Sequence, residues 1–507
     1  MGGQPSKSSE TAAREKATAG GRGTMGVREE EDYVEVGDGN EKGRLRGLNR
    51  KAEGLPLEDV ASLPADMLRD PKNRLALSAL SSADPRHVLT SPSAQVADQQ
   101  IYNIRIPFEG GPMTNQRSSG RCWLFASTNV FRVALMKKYR LESFELSQAY
   151  LFYWDKLEKA NWFLEQAIDT ASEDLDSRLV QRLMGDPVSD GGQWDMVYNL
   201  VDKYGLVPQT LYPDSWNARQ SSVLNAIVKN KLREFALRLR KMARDPGQTA
   251  PAMLSPVKSG MMHEIQKMMT LLLGQPPKPT DAFAWQYRDR AGQAHELSVT
   301  PRDFARDISS AEFRVNAAVI EGMMSLVHDP RHEPLSLLTV SRLGNVVGGR
   351  GVSYVNVDMD TLKSACVEML KAGLPVFFGC DVGQFSDKAS GIMDTALYDY
   401  DVGLGASLLG MTKAQRLLAG ESQMTHAMVL TAVHVDGQTG KPVRWRVQNS
   451  WGTDAGDKGW FVMSDAWMDE FVYQAVIDAR LCSNEVRDVA KKKAMVLPLW
   501  DPMGALA

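Results

Sequence analysis

The chain has 507 residues, 43% of them hydrophobic, with 11 tryptophans, which is material for one large domain with insertions or for two or three units. A formal net charge of −3 excludes a global electrostatic pull toward nucleic acid or an anionic membrane. Four cysteines (Cys122, Cys366, Cys380, Cys482) in so long a chain exclude a disulfide framework and fit a reducing compartment.

Residues 1–60 read as a disordered tail. They hold one aromatic (Tyr33), no isoleucine and a dense mixture of Gly, Glu, Lys and Arg, a composition too poor in apolar groups to offset the entropy of ordering. The opening Met1-Gly2-Gly3-Gln4-Pro5-Ser6 matches the short pattern for N-myristoylation at Gly2, beside the plainer reading of a flexible tail. The N-terminus lacks the apolar core of a secretory signal, and no apolar run reaches the roughly 20 residues that span a bilayer. A cytoplasmic location is expected, with a mitochondrial pool or membrane association through the N-terminus left open.

Residues 61–207 form the first folded stretch. A lead-in from Pro64 to Asp98 and an extended segment near Ile101–Phe108 precede a helix predicted from Cys122 to about Lys138. Its first charge is Arg132, so its start should be buried nearly all round. Helical patterning continues from about Leu146 to Met184 and breaks at Gly185-Asp186-Pro187. Asp190-Gly191-Gly192-Gln193-Trp194 is a tight glycine-bearing loop leading into another helix. Gly191 and Gly192 either let a substrate backbone approach closely or serve a plain turn.

Residues 208–345 carry helical patterning with many Met and Pro breaks, and we expect a helical insertion. Within it, Lys229–Arg244 is basic. A charge run of this kind is first a solvated or subunit-facing helix surface, and second a candidate nucleic-acid surface. From 346 to 496 the chain is β-rich (Pro375–Cys380, Ala427–Val435, Val443–Val447, Trp460–Met463), with turn punctuation that predicts an antiparallel sheet or small barrel.

Side chains suited to thiol chemistry fall on these elements in order. Gln116 precedes Cys122 by six residues, Thr425-His426-Ala427 lies before a strand, and Gln448-Asn449-Ser450-Trp451-Gly452 follows. Cys122 is the candidate nucleophile, favoured as thiolate by a helix N-terminus and a cationic imidazole. His426 is the base, Asn449 the amide that orients it, and Trp451 the shelter for that hydrogen bond. Gln116 and the Cys122 N–H would bind the oxyanion. His434, eight residues along the same strand, is the competing histidine, since alternation would put both on one face. No metal or cofactor is required.

Gln116, Cys122-Trp123, His426 and Asn449-Ser450-Trp451-Gly452, in that order, resemble the papain-like cysteine peptidases. Two departures stand out: Ser119 occupies a position where that signature has a cysteine, and Arg121 one where it has Ser or Ala. Longer runs narrow the resemblance to the bleomycin hydrolase branch from about residue 65 onward: Asp190–Met196, Leu343–Arg350, Phe378–Gly383 and Trp500–Ala507. That resemblance implies an α+β fold with a helical half, an antiparallel β half and a large helical insertion. It implies an intracellular aminopeptidase acting on peptides and on amides such as bleomycin. It also implies a homohexameric ring and a C-terminal arm, residues 497–507, lying in the cleft with Ala507 at its end. The alternative is a ring-shaped binder of nucleic acid or peptides with incidental hydrolysis.

Overall fold

A computed structural model of the protein describes residues 54–247, 251–306 and 322–506. The chain divides at Asp70 into two units, and the described part of the first carries the helix Leu57–Met67. Most of the tail expected over residues 1–60 lies outside the described residues, and this helix begins within its last positions. Glu58 and Asp59 occupy the first turn of that helix, where carboxylates complement the unpaired N–H groups. Gly2 and its acylation pattern lie outside the described residues.

In the second unit the central helix runs from Cys122 to Lys138 and is buried from Cys122 through Met136, as its uncharged start predicts. Beside it lies Gln148–Asp169, capped by the Ser147 hydroxyl. The helical run expected to reach Met184 is broken after Asp169, and Ser177 caps a separate helix, Arg178–Gly185. The intervening Thr170-Ala171-Ser172-Glu173-Asp174 is rich in side chains that compete with helical backbone bonding.

Opposite stands a 12-stranded sheet. At its centre Val376–Cys380, His426–Val435, Pro442–Gln448 and Trp460–Ser464 pair antiparallel in succession, all four near their predicted positions. The sheet is mixed, not purely antiparallel: Met323–Val327 with Tyr354–Asn356, Ser336–Val340 with Met495–Leu497, and Trp460–Ser464 with Ile392–Met393 are parallel pairs.

The insertion departs from the expected all-helical reading of 208–345. Helices Ser221–Arg244 and Pro251–Leu273 pack on Gln148–Asp169. A hairpin then follows (Phe283–Arg288 with Ala294–Val299), and Met323–Val327 and Ser336–Val340 join the main sheet. The segment Met323-Met324-Ser325-Leu326-Val327 is buried throughout. A strand covered on both faces is a continuous apolar run, which periodicity cannot separate from a buried helix.

The helix Cys122–Lys138 packs directly on His426–Val435. That seam brings residues 122 and 426 together across 304 positions of sequence.

Candidate active site

Cys122 is the first residue of its helix, so its sulfur sits at the end where N–H groups are unpaired. The backbone N–H groups of Ala427, Trp123 and Cys122 itself point at the sulfur. Since Ala427 directly follows His426, the thiol lies at the start of the histidine strand.

His426 opens that strand and pairs across it with Cys380. Our expectation that it precedes the strand is therefore off by one residue. Its Nε2 is 2.9 Å from Asn449 Oδ1, and that oxygen also accepts the Ser450 N–H at 2.7 Å. The Ser450 donor fixes which end of the Asn449 amide faces the ring, so Nε2 carries the hydrogen and Nδ1 is left for the thiol side. The Trp451 ring lies 4.9 Å from the imidazole and is itself held edge-on by Phe461. His426 and Asn449 are both buried.

His434 does not reach this site. Eight residues at about 3.3 Å each set it about 26 Å along the strand. A register shift between Leu430 and Ala432 also interrupts the alternation that would have put it on the same face.

The loop ahead of Cys122 is zipped to the loop after Asn449. The Gln116 N–H donates to the Ser450 carbonyl (2.8 Å), and the Gly452 N–H to that of Thr114 (2.9 Å). The Gln116 side chain accepts from Ser450 Oγ at 2.7 Å and donates through Nε2 to the Ser119 carbonyl at 2.7 Å. Its NH₂ end is thereby turned toward the residues that lead into Cys122.

Burial sets the charges. It pushes the Cys122 thiol up to about 11 and, against the hydrogen bond to Asn449, pulls the His426 imidazole down to about 4. Neither charge is stable alone, against the expectation of a thiolate favoured by its surroundings. A thiolate would have to appear together with an imidazolium, each charge offsetting the burial of the other. Burial also raises the pKa of Cys366, Cys380 and Cys482.

Gly192 has a packing reason: a Cβ there would sit 2.6 Å from the Trp123 indole. Gly191 is held from within the chain, donating to Ser189 Oγ at 3.1 Å and accepting from Lys159 Nζ at 2.6 Å. The chain end approaches the site. Gln193 Nε2 donates to the Ala505 carbonyl at 2.8 Å. Gly504, Ala505 and Leu506 line a cavity of about 380 Å³ together with Met424 and Thr425, the two residues before His426. Ala507 lies outside the described residues.

Sequence reasoning missed two supports. Asp381, buried, accepts from Ser422 Oγ (2.8 Å) and Thr425 Oγ1 (3.1 Å), fixing the turn that delivers His426. Arg121, fully buried, stacks between Phe125 and Phe152. Its chemistry is invisible until the fold supplies a partner from outside the loop.

The basic run Lys229–Arg244 is largely engaged inside the chain. Arg233 donates to the Met184 and Gly185 carbonyls, and Arg240 to those of Thr170 and Glu173. Lys229 pairs with Asp186 and Lys231 with Glu234 and Glu264. The two arginines close helix C-termini, where carbonyls lack partners. The nucleic-acid reading thereby loses most of its donors, with Arg238 and Lys241 left exposed. Among the described residues no helix is long and apolar enough to cross a membrane.

Residues 54–504 match the Peptidase C1-like family. The chain is 41% identical over 462 residues to bleomycin hydrolase of Homo sapiens, covering 90% of this chain and 99% of that one. It is 39% identical over 466 residues to Cysteine proteinase 1, mitochondrial, of Saccharomyces cerevisiae, covering 91% and 94%. Among solved structures, PepW from Lactobacillus rhamnosis superposes with a TM-score of 0.84 at 39% identity, covering 90% of this chain and 99% of that one.

Proposed function

The chain belongs to the Peptidase C1-like family, and from that premise we propose that it is a cysteine aminopeptidase in which Cys122, His426, Asn449 and Gln116 carry the reaction. The observation that carries this reading is the buried His426 Nε2–Asn449 Oδ1 bond of 2.9 Å, with the Ala427 N–H on the Cys122 sulfur. It leaves Nδ1 as the ring nitrogen that can take the thiol proton.

In the reaction, His426 Nδ1 takes the thiol proton as sulfur bonds to the carbonyl carbon of the substrate's first residue. The oxyanion is held by the Cys122 N–H and the Gln116 amide. The proton then passes to the departing amine as the C–N bond breaks, and water cleaves the thioester and restores the thiol. The position of Gly504–Leu506 beside Met424 and Thr425 supports an arm that closes the non-primed side. A terminal carboxylate at Ala507 would there pair with a free α-amino group. Peptides are the substrate class, and amides such as bleomycin fit the same chemistry.

We assign the solvent-facing apolar side chains of the insertion helices, Val223, Ile227, Leu237 and Leu271, to contacts between identical subunits of a hexameric ring. The location is cytoplasmic, with a mitochondrial pool suggested by the name of the yeast relative. Hydrolysis of aminoacyl-coumarin amides tests the activity: free-amine substrates turn over and N-acetylated ones do not. Equal turnover of both would refute the aminopeptidase reading.

A further inference from the structure

Residues 118–123, which bracket Cys122, are fastened to one short stretch of the insertion, residues 214–225. The backbones bridge: the Ser118 N–H donates to the Arg219 carbonyl (3.0 Å), and the Ser221 N–H to that of Ser118 (3.4 Å). Arg121 gives two guanidinium N–H groups to Asp214 (2.7 and 2.9 Å) and its Nε–H to Ser119 Oγ (2.9 Å). That ion pair stands in the loop where the papain-like signature has a cysteine.

Asp190 makes the third link, and it grips both sides of the nucleophile. One carboxylate oxygen accepts the Gly120 N–H (3.0 Å) and the Ser221 hydroxyl. The other accepts Asn225 Nδ2 (2.8 Å) and pairs with the buried Lys156 ammonium (2.6 Å). Its main-chain carbonyl accepts the Trp123 indole N–H at 2.7 Å. A Cβ at residue 120 would lie 2.8 Å from Asp190 Cβ, so the approach depends on Gly120 being glycine.

We propose that Asp190 is a positioning residue for the thiol reaction, clamping Gly120 and the Trp123 indole, on either side of Cys122, to the insertion helix Ser221–Arg244. The inference rests on the reading of Cys122 as nucleophile. Gln116 takes its place from the Ser119 carbonyl, and residues 118–121 hang from the insertion. The thiol–imidazole pair is set elsewhere, by the strand His426–Val435 and by Asn449. A shift of residues 214–225 therefore displaces the Ser119 carbonyl that aims the Gln116 donor, while the Ala427 N–H still holds the Cys122 sulfur beside the base strand. Donors of that kind act on the transition state, and a misplacement of about 1 Å can cost as much as ~10²-fold in rate. The insertion is then part of the catalytic support as well as a surface.

The test is Ser221→Ala/Asn225→Ala in the full-length protein, which keeps Asp190 opposite Lys156. On an aminoacyl-coumarin substrate kcat falls about tenfold with little change in KM, as expected of a donor that binds the transition state only. Alkylation of Cys122 by iodoacetamide, which needs no oxyanion site, proceeds at the wild-type rate. Ser221→Thr, which keeps the hydroxyl, recovers most of the loss seen in Ser221→Ala. Asp190→Asn lowers kcat at least as far; should it fail to fold, the double variant decides. Unchanged kcat in the double variant overturns the inference. So does a parallel fall of kcat and alkylation, which marks lost fold. Activity surviving Cys122→Ala would instead refute the underlying reading of the site.

Discussion

Replacing His426 with Gln isolates what burial does to the nucleophile. Without an imidazole to take its proton, the Cys122 thiol is left with the environment that pushes it up to about 11. Four pH units lower, at pH 7, about one molecule in 10⁴ carries thiolate, since each unit is a factor of ten. Alkylation by iodoacetamide should then be slower than in the wild type by about three to four powers of ten. The pH profiles differ as well. In the variant the rate climbs about tenfold per unit from pH 6 to 10, because only the neutral thiol is stable below its raised pKa. In the wild type the proton moves within the pair, so the rate stays nearly flat across the same range. Stopped-time alkylation followed by peptide mass mapping reads both. A variant that alkylates at the wild-type rate at pH 7 would show that burial does not hold the thiol neutral.

Asn449→Ala removes the acceptor that sets the His426 tautomer but no group that moves a proton. A small fraction of kcat should survive, more than in His426→Ala; equal losses would argue that Asn449 does more than orient. Deleting Gly504–Ala507 should admit N-acetylated peptides and internal cleavage, visible by mass spectrometry of the products, and a truncated enzyme that still demands a free N-terminus would refute the arm's role. Arg240→Ala removes a buried guanidinium that donates to the Thr170 and Glu173 carbonyls and should cost about 2 kcal/mol in a denaturant melt, as for other bonds from a charged donor. It should not change retention on single-stranded DNA, and a loss of DNA affinity without loss of stability would reverse our reading of the basic helix.

The local chemistry was legible because it is written in short, chemically specific runs. The uncharged stretch after Cys122 predicts the buried helix, and Asn449-Ser450-Trp451 predicts the amide and its aromatic cover. Three things were not legible. The strand Met323–Val327 hid inside the insertion, since two-sided burial erases the alternation that identifies strands. Arg121 looked like a departure from a signature until the fold brought Asp214 across 93 positions of sequence to meet it. The arginines Arg233, Arg240 and Arg244 likewise acquired a purpose only when helix ends 48 to 73 residues away proved to be their acceptors.

The central claim is that one thiol of four does the chemistry. The most direct measurement is turnover of a free-amine aminoacyl-coumarin substrate by Cys122→Ala beside the wild type, with folding checked by circular dichroism. The account predicts a folded variant with no detectable hydrolysis, while Cys366→Ala, Cys380→Ala and Cys482→Ala keep theirs wherever they fold. Hydrolysis at the wild-type rate by Cys122→Ala would contradict it.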